Sequence, residues 1–168
     1  MTGPAWATGI CRALRSLGVR HVVHVPDNPL SHVLNLLARE YPDITCTTAT
    51  REEEAFGVAG GLFLGGAPAV VMCQSSGIGN SLNVLTSFLI PYRIPIVAVV
   101  SMRGTSGEWN AAQAPMGQAL PAILDSIGMP HLTIDSADAA EEAVARISTL
   151  AAHGQVPAAI LLDSRKAT

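Results

Sequence analysis

Three stretches of this 168-residue chain are apolar at every position: AVVMC at 69–73, IPIVAVV at 94–100 and AAILL at 158–162. A strand with two apolar faces belongs inside a sheet that is covered by helices on both sides. Between these runs the pattern changes to the 3.6-residue period of amphipathic helices, with short connections. The spacing predicts helix 4–17, strand 21–25, helix 29–40, strand 44–48, helix 51–64 and strand 69–73. It continues with helix 77–89, strand 96–101, helix 117–127, strand 131–134, helix 137–152 and strand 158–162. Alternating helices and six strands predict a three-layer α/β/α fold on a six-stranded parallel sheet. The length and even composition suit one domain over residues 1–168. In PDNPL, Asn28 is placed to cap a helix whose first position is Pro29, where the missing N–H costs nothing.

Composition narrows the partners. Only 14% of residues are charged while 49% are hydrophobic, against a charged quarter in ordinary soluble domains, so part of the surface is expected to be covered by another chain. A net charge of −3 and no stripe of Lys or Arg argue against nucleic acid. No apolar run is long enough to span a bilayer, and residues 1–17 lack the core of a signal peptide, so a cytoplasmic protein without membrane partners is expected. Cys11, Cys46 and Cys73 are odd in number and far apart, and read as reduced, packed thiols. His21 and His24 in HVVH, three apart on a strand, point to opposite faces and do not make a metal pair.

TREEEAFGVAGG at 50–61 sets three glutamates at the start of a helix. Thr50 and Glu53 fit a capping box, and Glu54 gains from the helix dipole. Glu52 instead shares a stripe with Ala55, Phe56, Ala59 and Phe63, a face that should look inward or toward a partner. A carboxylate leading such a face either snorkels out at the helix end or is held in a dry place, where desolvation makes it a usable acid or base. The spacing leaves both open.

CQSSGIGNSLN at 73–83 follows an apolar strand and opens the next helix. It therefore lies at the carboxyl edge of the sheet, where open α/β sheets bind ligands. Gly77 and Gly79 permit close backbone approach and suit an anion or polar ring, or simply a tight strand-to-helix turn. The segment Met102 to Pro115 is the one long irregular stretch, a length that marks functional loops.

Taken together, TREEEAFGVAGGLFLGG, VMCQSSGIGNSLN, PYRIPIVAVVSMRG and AQAPMGQALPAIL resemble the pyrimidine-binding (alpha) subunit of thiamine diphosphate enzymes, in particular the sulfopyruvate and phosphonopyruvate decarboxylase group. The likeness runs from VPDNPL to the last strand. Its register selects Glu52, with Gly57 and Gly61 in matching places. The resemblance implies that Glu52 bonds the N1′ nitrogen of the cofactor's aminopyrimidine as the catalytic carboxylate. It also implies cofactor contacts from Pro26, Gln74, Ser75, Ser76, Gly77 and Asn80. The cofactor supplies the carbon nucleophile and electron sink for loss of carbon dioxide from a 2-oxoacid. Related full-length enzymes hold the diphosphate through magnesium with a Gly-Asp-Gly motif, and no such motif occurs in this sequence. A separate beta subunit is therefore implied to carry the Mg2+ site, in a hetero-oligomer with at least two copies of each chain.

A sulfonate or phosphonate on the substrate calls for positive charge or N–H donors. Arg93, Arg103, Gln113 and His24 are candidates, and Asp27 either orients substrate or stabilises its own Asx turn. Ser75 and Trp109 depart from the residues usual in related subunits. A carboligase using the same residues, a non-catalytic regulatory module of the same fold and a flavodoxin-type nucleotide binder are the alternative readings.

Overall fold

A computed structural model describes residues 3–105, 107–134, 136–163 and 165. The elements in chain order are α1 (Ala5–Ser16), β1 (His21–His24), α2 (Ser31–Glu40), β2 (Thr45–Thr48), α3 (Glu52–Leu64) and β3 (Ala69–Gln74). They continue with α4 (Ser75–Asn80), α5 (Leu82–Val84), a π-helical turn (Leu85–Leu89), β4 (Val97–Ser101) and a 3₁₀ turn (Ala111–Gln113). The last are α6 (Ala114–Ser126), β5 (His131–Ile134), α7 (Ala140–Gly154) and β6 (Ala158–Leu162).

The six strands form one sheet in the order β2-β1-β3-β4-β6-β5, and every pairing is parallel. Side chains alternate across it as strand geometry requires. Val22, Val70, Met72, Val97, Val99 and Ile160 face a core shared with Trp6, Ile10, Leu14, Val33, Leu37 and Val144 of α1, α2 and α7. Val23, Val71, Cys73, Ala98, Val100 and Leu161 face a second core with Phe56, Ala59, Ile78, Leu85, Leu120 and Leu124 of α3, α4, the π turn and α6. The three-layer α/β/α reading is therefore the observed fold. Among the described residues no helix is long and apolar enough to cross a membrane.

Four local expectations are corrected. The single helix over 77–89 starts two residues earlier and is broken. Ser81 and Thr86 hydroxyls donate to the carbonyls of Gly77 and Leu82 at 2.8 and 2.7 Å, back-bonds that bend helices, and a π turn follows. Asn28 does not cap α2: Leu30 occupies that position without a side-chain bond, and Asn28 offers only its carbonyl, to Ser31 Oγ at 2.6 Å. Phe63, in the last turn of α3, is 39% exposed, whereas Ala55, Phe56 and Ala59 are fully buried. Cys46 is exposed on the edge strand β2, while Cys11 and Cys73 are buried as expected.

Candidate active site

β1 pairs with β2 on one side and β3 on the other, so the chain reverses its direction of travel across the sheet between β1 and β3. That crevice, at the carboxyl ends of the strands, is where this class of sheet binds ligands. His24 and Asp27 reach it from β1, Gln74 and Ser75 from β3, and Glu52 from the first turn of α3, which packs on both strands.

The three glutamates part company here. Arg51 holds extended geometry, and α3 begins with Glu52. Glu53 pairs with Arg51 at 3.1 Å in solvent. Glu54, and not Glu53, closes the cap, its Oε2 accepting from the N–H and hydroxyl of Thr50 at 2.8 and 2.6 Å. The Thr50–Glu53 capping box is thus corrected by one residue, because Arg51 rather than Thr50 is the cap position. The Thr50 bonds hold the Glu54 carboxyl below its ordinary value. Glu52 turns inward and is 9% exposed. A Cβ on Gly77 would overlap its Cγ, so the helix opening at α4 passes directly against the acid. Beneath them, burial pushes the Cys73 thiol far up, with the charges of Glu52 and Asp27 adding to it.

β3 runs into α4 without a loop: Gln74 is extended and Ser75 is already helical. Ser75 is fully buried, Gln74 and Ser76 are partly so, and Asn80 is exposed. Asn80 lines a groove of about 510 Å³ with Thr50, Arg51, Glu53, Glu54, Asn83 and Val84. Pro26 is exposed in the turn after β1.

Buried polar atoms without a partner point to the same edge. Among the described residues they are His24 Nδ1, Gln74 Oε1, Ser75 Oγ, Arg103 Nε and Gln113 Oε1. His24 ends β1, Gln74 ends β3 with Ser75 next to it, and Arg103 and Gln113 lie beyond β4. Such atoms cost about 1–3 kcal/mol each when left unpaired, and their concentration at the sheet edge that also carries Glu52 suits a polar ring with both donors and acceptors.

The Asp27 side chain is buried, and its carboxylate does not make an Asx turn. It accepts from Ser101 Oγ at 2.7 Å and faces Arg103 Nη2 at 3.6 Å. Arg103 joins the site, but Arg93 does not. Arg93 precedes β4 in a left-handed turn (φ 56°) and meets Gln155, which precedes β6, at 3.4 Å. It stands at the opposite edge of the sheet, and its candidacy as a substrate contact is withdrawn.

The long irregular segment is shorter than expected, since α6 begins at Ala114 with proline at its start, where that residue is favoured. Ser106 within it lies outside the described residues. The segment is organised by Glu108, which sequence reasoning missed. Its carboxylate accepts from the N–H groups of Asn110 and Gly104 at 3.1 and 3.3 Å and from Arg165 at 2.9 Å. Its pairing with Arg165 spans 57 residues and has no local signal.

A parallel sheet with a buried carboxylate and unpaired polar atoms at its switch point defines a cofactor-binding α/β domain. Residues 5–129 match the thiamine pyrophosphate enzyme, N-terminal TPP binding domain, and the chain belongs to that family. It is 37% identical over 155 residues to the sulfopyruvate decarboxylase subunit alpha of Methanococcus maripaludis, covering 92% of each chain. It is 36% identical over 158 residues to the phosphonopyruvate decarboxylase of Streptomyces viridochromogenes, covering 93% of this chain and 40% of that one. The fold is shared with 2-oxoglutarate:ferredoxin oxidoreductase from Magnetococcus marinus at a TM-score of 0.74 and 16% identity, over 96% of this chain and 28% of that one.

Proposed function

We propose that this chain is the pyrimidine-binding alpha subunit of a thiamine diphosphate-dependent decarboxylase that converts 3-sulfopyruvate or 3-phosphonopyruvate to the aldehyde without oxidation. The observation that carries the reading is Glu52, a carboxylate 9% exposed that opens a helix at the switch point and presses on a glycine. The names of the relatives at 36–37% identity support the reaction and the substrate class.

In this reading Glu52 faces the N1′ nitrogen of the aminopyrimidine, where it holds and returns one proton. Its burial keeps water from competing for that proton. Pro26, Gln74, Ser75, Ser76, Gly77 and Asn80 form the wall against the ring, and the unpartnered Gln74 Oε1 and Ser75 Oγ suit its amino group. When bound, thiamine diphosphate supplies the carbon nucleophile and the electron sink. Asp27, Arg103 and Gln113 orient the oxoacid. A separate beta subunit with a Gly-Asp-Gly motif holds the diphosphate and Mg2+, with at least two copies of each chain in the assembly.

The test is co-purification with such a chain and measurement of carbon dioxide release from a panel of 2-oxoacids. Glu52→Gln is expected to lower turnover by about 10²–10⁴-fold with the same elution volume as wild type. Glu53→Gln, which breaks only a solvent ion pair, is the control, with a stability change of at most about 0.5 kcal/mol. Equal turnover in wild type and Glu52→Gln refutes the assignment.

A further inference from the structure

Two guanidinium groups stand side by side at the carboxyl edge of the sheet. Arg103 follows β4 and Arg165 follows β6, neighbouring strands in which Ser101 pairs with Leu162. Glu108 lies between them, 2.9 Å from Arg165 Nη2 and 3.8 Å from Arg103 Nη1. Behind Arg103 sits Asp27 at 3.6 Å, and Asp163 Oδ1 meets the Arg165 N–H and Thr105 Oγ1 at 3.4 and 3.5 Å.

Exposure orders these charges in depth. The Glu108 and Asp27 side chains are 4% and 3% exposed, those of Arg103 and Arg165 17% and 33%. The carboxylates form a floor and the guanidinium groups lie nearer the solvent. At 3.6 and 3.8 Å the Arg103 contacts are ion pairs too long for hydrogen bonds, and among the described residues its Nε has no acceptor. A mostly buried guanidinium is thus fixed in place with no short hydrogen bond to a described residue. The Asn110 N–H, ahead of the Gly104 N–H and Arg165, holds the Glu108 carboxyl below its ordinary value, so Glu108 stays ionised near neutrality. Among the described residues, three carboxylates against two guanidinium groups leave no local excess of positive charge. An anion would be recognised here by paired donors at short range rather than by a long-range field.

We propose, building on the function stated above, that Arg103 and Arg165 together bind the sulfonate or phosphonate at C3 of the oxoacid. Glu108 is the positioning residue that holds both guanidinium groups in register. The pair makes the enzyme selective for 2-oxoacids with a second strong acid group. The carboxylate common to every 2-oxoacid is not bound by this pair.

The experiment uses the assembled two-chain enzyme and two 2-oxoacids that differ in the group on C3, 3-sulfopyruvate with a sulfonate and 2-oxobutyrate with a methyl group. Arg165→Ala should lower kcat/KM for 3-sulfopyruvate about 10- to 100-fold, mostly through KM, the range expected for a charged hydrogen bond. For 2-oxobutyrate, which has no acid group on C3 to lose, the loss should stay below about threefold. Arg165→Lys should recover part of the preference, and Glu108→Gln should reduce it without changing the assembly. In parallel, calorimetry should detect binding of 3-sulfopropanoate, which lacks the reacting carbonyl, more tightly than propanoate, and Arg165→Ala should abolish that difference. Equal losses on both oxoacids, no loss on either, or equal binding of the two unreactive acids by wild type would overturn the proposal. Failure of wild type to decarboxylate any 2-oxoacid would instead overturn the function proposed above, and the calorimetry would still decide the anion subsite.

Discussion

His24 ends β1 with its ring 9% exposed, Nε2 3.2 Å from Thr48 Oγ1 and Nδ1 unpartnered. Burial lowers its pKa from the ordinary 6.5, so the ring is neutral in the folded protein at pH 7. The unfolded chain takes up the proton first as pH falls. Stability contributed by the neutral ring is therefore present above pH 6.5 and is lost progressively below it, until the depressed folded value is reached. The lowered carboxyls of Glu54 and Glu108 act in a separate window, since their contribution holds above the ordinary 4.5 and is lost only as pH falls through their folded values. Thermal melts from about pH 7.5 to 5 should show the first loss. His24→Gln should flatten it at a constant cost of about 1 kcal/mol from the changed Thr48 bond. A variant profile parallel to that of wild type would place the acid sensitivity elsewhere.

Between elements, glycines set the spacing of the site. Gly77 of α4 passes against the Glu52 side chain of α3, a Cβ on Gly79 would lie 3.2 Å from Met116 of α6, and a Cβ on Gly117 of α6 would overlap the Arg103 carbonyl. Glu52 and Arg103 are thus located through one packed series of helices. The obstacle at Gly117 is backbone, which cannot turn aside, so Gly117→Ala should cost about 2–3 kcal/mol in urea denaturation. The obstacle at Gly77 is a side chain that can rotate. Gly77→Ala should cost less stability and remove most of the turnover by displacing Glu52. Similar stability losses with full turnover in Gly77→Ala would mean that the position of Glu52 is not set by this contact. The sequence made the elements legible because the strands are nearly uniform apolar runs and the helices between them are amphipathic. It also exposed Glu52, Gln74, Ser75, Arg103 and Gln113, which all lie close after a strand or open a helix at the same edge. Arg93 was misleading because sequence proximity to a strand does not say at which end a side chain stands. Glu108 and Arg165 were silent because their meaning arises only when β4 and β6 pair. The breaks in the helix after β3 depend on where individual hydroxyls bond, which no periodicity reports.

For the molecule as a whole, the three cysteines test whether both cores are closed around an open sheet edge. Cys11 is on the buried face of α1, its thiol bonded to the Val33 carbonyl at 3.7 Å. Burial first, then the nearby Glu40 and Cys46, push that thiol up to about 12. Cys73, fully buried against α3, is pushed up further, chiefly by burial. Neither supplies thiolate near neutrality, and thiolate is the reactive form. Cys46 stands exposed on β2, where all four residues face solvent. Its thiol is raised from 9.0 by partial burial, so it should react slowly and faster with rising pH. A chromogenic disulfide reagent should therefore titrate one thiol per native chain at pH 8 and all three in denaturant. The pH dependence of the native rate should identify a single class of thiol. Cys46→Ser should bring the native count to zero, and a count of two would show that α1 or β3 is not packed as described. An open edge strand is also a surface on which another chain can pair. If the beta subunit covers β2, the single native thiol should become protected on assembly, whereas a beta subunit that binds only at the carboxyl edge, over Glu52 and Arg103, should leave the Cys46 rate unchanged.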